Sequence, residues 1–118
     1  GLGRGRSVDR PVTGAVHPRH RLDPVIHSPI RLSIMACLAE VAEAEFGFVR
    51  QAVEISAPTL SKQVTTLEGA GYVAIRKGAV GRLPRTWLAL TEAGRAALAV
   101  HLAALRAIAG PTLEPDGR

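Results

Sequence analysis

Two short stretches carry side chains whose types and spacing suit recognition of a polyanion. Between residues 58 and 66, Thr59, Ser61, Lys62, Gln63, Thr65 and Thr66 offer hydroxyls, an amide and an ammonium, with no carboxylate before Glu68. Groups of this kind match the edges of bases. The Gln63 amide can bond adenine at two points, the hydroxyls can reach bases or phosphates, and Lys62 suits phosphate or guanine. Between residues 76 and 85, Arg76, Lys77, Arg82 and Arg85 add four cations, and no acidic residue falls between Glu68 and Glu92 to offset them. A narrow loop carrying arginine can enter a minor groove, where the potential of a duplex is most negative. A solvated helix face and a charged hairpin that guards a sheet edge are the plainer readings of the two stretches. Their adjacency in the chain favours nucleic acid.

The distribution of charge points the same way. The chain of 118 residues has a net charge of +5. Residues 1–22 carry +4, residues 23–70 carry −3, residues 71–91 carry +4, and the rest is neutral. Clustered cations beside an acidic body form a surface that releases counterions from a polyanion. No residues are grouped for catalysis: nothing pairs a Ser or Cys nucleophile with a base, and the GLGRG start follows no strand that would make it a phosphate loop. Cys37 stands alone in an apolar run, and His17, His20, His27 and His101 are scattered, so neither a disulfide nor a metal site is expected. The reading is a non-enzyme with no cofactor. No apolar stretch approaches a membrane span, and a reducing cytoplasm suits the single thiol.

The elements that must hold these residues follow from periodicity. Residues 1–21 mix Gly, Pro, Arg and His without apolar repetition and read as a flexible basic arm, with Arg4, Arg6 and Arg10 available to a groove. Order is expected over 22–110, and 111–118 reads as a tail. Ser28 and Pro29 start a first helix carrying Ile30, Ile34, Leu38 and Val41 on its buried stripe. Glu40, Glu43 and Glu45 read as a solvated turn, and Phe46 and Phe48 as a short strand or a helix entry leading into a brief helix over Val49, Ala52 and Val53. Ser56 caps a further helix, with Pro58 in its first turn and Leu60, Val64 and Leu67 along one face. From Tyr72 the period becomes two, a tight Gly78-Ala79-Val80-Gly81 segment divides two extended runs, and Thr91 caps a last helix that ends at Gly110-Pro111.

The order is helix, short helix, tight turn, helix, hairpin, helix: mainly α with a small β-hairpin. Three motifs in this order resemble winged-helix regulators of the MarR and ArsR type. Leu60-Ser61-Lys62-Gln63-Val64-Thr65-Thr66-Leu67-Glu68-Gly69-Ala70-Gly71-Tyr72-Val73 is similar to their LSxHLxxLExAGYV segment, Ser28-Pro29-Ile30-Arg31-Leu32 with Ile34-Met35 to PxRLxIL, and Leu90-Thr91-Glu92-Ala93-Gly94-Arg95 to LTxxGR. The likeness covers roughly residues 22–109, with Gln63 where such proteins often have His, and with Pro58 as a second departure. It implies a dimeric winged helix-turn-helix that binds a pseudo-palindromic operator in double-stranded DNA and regulates transcription, most often as a repressor. Positions 58–66 would then enter the major groove and the wing at 76–85 the minor groove.

The terminal helix bears on assembly, because Leu98, Leu102, Leu105 and Ile108 are flanked by alanines and Val100. A helix apolar nearly all round at the end of a small domain calls for a partner, and a homodimer is the simplest cover. Two other uses are compatible with the same fold: a protein-interaction module, which would favour acidic or apolar residues on the 58–66 face, and a ligand-responsive sensor, for which the short chain leaves little volume.

Overall fold

The computed structural model describes residues 16–110. It contains helix α1 (Pro29–Ala39), strand β1 (Ala44–Glu45), helix α2 (Phe46–Val53), helix α3 (Ala57–Gly69), strands β2 (Val73–Val80) and β3 (Leu83–Leu90), and helix α4 (Glu92–Ala109). The strands make one antiparallel sheet in the order β1-β3-β2. Ile34, Met35 and Leu38 of α1, Val49 of α2, Leu60, Val64 and Leu67 of α3, and Val73 and Leu88 of the sheet form a single buried core.

Three helices start as their capping residues dictate. The side chain of Ser28 accepts the Arg31 N–H, that of Ser56 the Thr59 N–H, and that of Thr91 the Gly94 N–H, each satisfying a donor that the first helical turn leaves unpaired. Helix α1 closes at Ala39, because the Glu40 and Val41 N–H groups turn back to Cys37 and Leu38 in a tightened last turn. Val41, expected on the buried stripe, therefore stands at the surface. Cys37 is half-buried, and desolvation pushes its thiol above the ordinary range, which keeps it protonated and inert. Between α2 and α3 only residues 54–56 intervene, and Glu54 makes the sharp reversal with a left-handed φ of 62°.

The hairpin is longer than the sequence predicts. Its turn is Gly81-Arg82, closed by the Val80–Leu83 pair, and Gly78 lies mid-strand opposite Arg85. Gly81 has φ 63° while Arg82 does not take a positive φ, the pattern of a two-residue turn with glycine at its first position. Gly78 is needed for a different reason. A Cβ there would sit 3.1 Å from Cζ3 of Trp87, whose ring covers the strand. The glycine makes room for an aromatic ring and does not make a turn.

The folded body also begins earlier than Leu22. Pro18–Arg21 form a 3-10 turn packed on α4, so the last four residues assigned to the arm belong to the domain, and residues 1–15 and 111–118 lie outside the described residues. The segment after the turn is fixed by polar contacts. The Asp23 N–H donates to Nδ1 of His101 at 3.0 Å, and the Tyr72 hydroxyl donates to the Asp23 carboxylate. His101 is fully buried, and its ring lies 5.4 Å from that of His27.

Burial pushes the His101 imidazole below its ordinary value of 6.5, and the nearby His27 adds to the shift while Asp23 opposes it. The unfolded chain therefore binds a proton at a pH where the folded chain does not, so this residue makes stability rise with pH. The expected result is a thermal midpoint that holds from about pH 8 to about pH 6.5 and falls as the pH drops further, as the unfolded imidazole is charged. Melting curves across that range check it, and His101→Gln should flatten the slope.

Candidate nucleic-acid interface

Helix α3 presents two kinds of surface, which its geometry separates. At about 100° per residue, Leu60, Val64 and Leu67 point to the core, while Pro58, Ser61, Lys62, Thr65 and Thr66 cover the opposite side. These five are exposed, and Thr59 is half-buried beside them. The Thr65 hydroxyl donates to the Ser61 carbonyl at 2.9 Å, and Ser56 donates to Thr59 Oγ1 at 2.9 Å. With its proton used inside the helix, Thr65 turns lone pairs and a methyl group outward.

Gln63 is placed differently. It stands roughly 60° from the buried stripe on the flank that meets α1, and its Oε1 accepts from Nη1 of Arg31 at 2.9 Å. Arg31 is held in turn by a bond from its Nε to the Val25 carbonyl. Two-point bonding to adenine requires the glutamine oxygen as acceptor. That oxygen is already engaged here, and the residue is half-buried rather than at the centre of the outer ridge. The sequence offered no signal for Arg31, which is 32 residues away and reads simply as part of a helix start.

The sheet divides the basic hairpin into two faces. Ile75 and Lys77 of β2 and Thr86 and Leu88 of β3 line a groove of about 640 Å³, whose other wall is Ser61, Val64, Thr65 and Glu68 of α3, with Phe46 at its floor. Arg76 and Trp87 pair across the strands and point the other way, with the Arg76 guanidinium 4.1 Å above the Trp87 ring. On this second face Arg76 forms a two-point bond with Glu43, and Nε of Arg85 pairs with Glu45 at 2.9 Å. The guanidinium of Arg76 holds the Glu43 carboxyl below the usual carboxylate range.

These pairs correct the expectation that the hairpin's cations meet no anion. The carboxylates come from β1 and the residue before it, more than thirty positions upstream, where Ala44 and Glu45 pair with Leu88 and Trp87. Glu43 and Glu45 are thus partners of the wing and not a free solvated turn. Among the described residues, Lys62, Lys77 and Arg82 are the cations of α3 and the hairpin that make no ion pair, and Arg82 occupies the turn at the tip.

The last helix also departs from its expected role. Leu98 is buried in the domain's own core, on the stripe of Gly94, His101 and Ala104, so it cannot serve a partner. Leu102 and Leu105 are half-buried, and Ile108 is exposed. The outward apolar positions include Ala96, Val100, Ala103 and Ala107. The docked 3-10 turn and the crossing over Tyr72 set which stripe of this helix is buried.

A family model described as a winged helix DNA-binding domain matches residues 30–109. The chain belongs to this family. The winged-helix domain is similar in structure to a transcriptional regulator homologue from Pyrococcus horikoshii OT3, with 27% identity and a TM-score of 0.68 over 72% of this chain and 84% of that one. It is also similar to the transcriptional repressor BigR from Xylella fastidiosa, at 31% identity and a TM-score of 0.56 over 71% of this chain and 80% of that one. It shares its fold with the transcriptional repressor CouR bound to a 23-mer DNA duplex, at 24% identity and a TM-score of 0.63, covering 75% of this chain and 62% of that one. No curated protein matches in sequence. No helix among the described residues is long and apolar enough to cross a membrane.

Proposed function

We propose that this winged-helix domain represses transcription by binding a pseudo-palindromic operator in double-stranded DNA as a homodimer, with no cofactor or metal and no catalytic step. The reading rests on one observation: Ser61 and Thr65, on the exposed side of α3, and Lys77 of the wing line the same groove. A single duplex can therefore meet both. Ser61, Lys62, Thr65 and Thr66, with Pro58 and Thr59 at the start of the helix, would enter the major groove. Lys77 and Arg82 would hold phosphates and the adjacent minor groove. Arg76 and Arg85 have the supporting role of fixing the wing to β1, and Gln63, oriented by Arg31, offers its amide N–H groups at the margin.

The dimer would form along the outward face of α4, with Ala96, Val100, Ala103 and Ala107 at the contact and the exposed Ile108 near the end of the helix. Small residues there let two helices approach closely. The protein-interaction alternative is less well supported, because the exposed face of α3 carries hydroxyls and lysine where a protein partner would call for apolar anchors.

The test is retardation of a random-sequence duplex pool, repeated over salt, together with the solution mass. Six unpaired cations per dimer give an expected slope of about −5 in log affinity against log salt, or roughly a thousandfold loss between about 50 and about 200 mM. A monomeric mass at micromolar concentration, or the absence of an enriched sequence after repeated selection, would refute the reading.

A further inference from the structure

Helix α3 has two flanks, and they are not alike. Ser61, Thr65 and Glu68 fall on the side that faces the wing, and Gln63 falls on the other, against α1. On that second flank Arg31, in the first turn of α1, is fixed at two points: its Nε donates to the Val25 carbonyl and its Nη1 to Oε1 of Gln63 at 2.9 Å. Both side chains are half-buried, and among the described residues Arg31 makes no ion pair.

The pair offers donors and nothing else. A guanidinium has N–H groups and no acceptor, so the Gln63 oxygen must face it and the Gln63 amide nitrogen must face away. Val25 and Gln63 use Nε and one N–H of Nη1, and Nη2 and the Gln63 amide bond to nothing among the described residues. No carboxylate balances the charge. The group suited to such a set is an anion whose oxygens accept several bonds at once, and a phosphate diester is one.

An α-helix with its side chains is about 10–12 Å across and the major groove about 12 Å wide, so a helix seated there has a sugar-phosphate strand along each flank. On the wing side Lys77 meets one strand. We infer that Arg31 and Gln63 form a phosphate clamp for the other strand, on the side of α3 away from the wing. This inference rests on the duplex binding proposed above and adds a contact from α1, outside α3 and the hairpin. Because Arg31 is held at two points before the duplex arrives, little side-chain freedom is lost on binding. The clamp sets the depth and angle at which α3 enters, and it leaves the reading of bases to Ser61, Lys62, Thr65 and Thr66.

The experiment uses the full chain and a duplex enriched by it from a random pool, with neutral methylphosphonates placed one at a time along each strand. Two more phosphates per dimer should steepen the salt slope from about −5 to about −7. Arg31→Ala should return it to about −5 and weaken binding about tenfold on all sequences. One methylphosphonate per half-site, on the strand away from the wing, should weaken wild type and leave Arg31→Ala unaffected. Gln63→Glu keeps the link to α1 as an ion pair, so its thermal midpoint should stay within about 3 °C of wild type. It removes the amide donors and neutralises the guanidinium, so its affinity and slope should fall as in Arg31→Ala, and it decides the matter if Arg31→Ala is unstable. A wild-type slope in Gln63→Glu would overturn the clamp while leaving duplex binding intact. A different base enriched by Gln63→Ala at one operator position would make Gln63 a base reader and overturn it too. If wild type retards no duplex, the clamp and the function proposed above both fail.

Discussion

Gly94→Ala is expected to lower the thermal midpoint by roughly 8–16 °C, the largest effect of an added methyl group at any of the described glycines. A Cβ at Gly94 would lie 2.1 Å from the Tyr72 carbonyl oxygen, 2.9 Å from its carbon and 3.0 Å from its Cα. All three obstacles are backbone, so no side chain can swing aside. The helix cannot retreat freely either, since Thr91 donates its N–H to the Tyr72 carbonyl at 3.0 Å and its hydroxyl to the Gly71 carbonyl at 2.6 Å. Overpacking a core costs about 1–3 kcal/mol, and a rigid obstacle places this case at the upper end. The gain in helix propensity on replacing glycine is smaller, about 1 kcal/mol. For a domain of this size each kcal/mol corresponds to roughly 4–8 °C. Gly69→Ala is the matched control, because a Cβ there meets nothing within 4 Å and its φ is not positive. It should melt at or slightly above the wild-type temperature. A Gly94→Ala midpoint within about 3 °C of wild type would disprove the close crossing of α4 over Tyr72.

The largest functional effect is expected from Lys62→Glu. Lys62 is exposed near the middle of the outer face of α3 and makes no ion pair among the described residues, so its reversal should leave stability within about 0.5 kcal/mol. In a dimer the substitution removes two cations from the duplex surface and adds two anions. At about 1–3 kcal/mol per lost contact, and two contacts per dimer, affinity should fall by roughly thirtyfold or more, uniformly across sequences, and the salt slope should flatten by about 2. Titrations of wild type and variant on one duplex at two salt concentrations measure both quantities. Full affinity in the variant would mean that α3 does not face the phosphates.

Much of this architecture is legible in the sequence because its signals are local. Ser28, Ser56 and Thr91 cap helices wherever tertiary contacts later place them, and the stripe of Leu60, Val64 and Leu67 needs only the helical period. The exposed ridge of α3 follows as the complement of that stripe. What was not legible depends on residues far apart in the chain. Arg76 and Arg85 look free until β1 brings Glu43 and Glu45 beside them, and the Gln63 oxygen looks unoccupied until α1 delivers Arg31. Gly78 reads as a turn residue because glycine has two uses, and the ring that makes it necessary arrives from the opposite strand. The burial of Leu98 is not legible either, because α4 is apolar nearly all round and only the crossing at Gly94 fixes which stripe turns inward.

The place of Trp87 carries a practical consequence. The chain has a single tryptophan, and it lies on the hairpin under the Arg76 guanidinium and against Gly78, away from α3. Its emission therefore comes from one strand of the wing, undiluted by any other indole. Movement of the hairpin against its acidic supports would change the polarity around that ring while the helices stayed as they were. The molecule has a built-in optical gauge, and stopped-flow mixing could use it to separate the moment of encounter from any later adjustment of the wing.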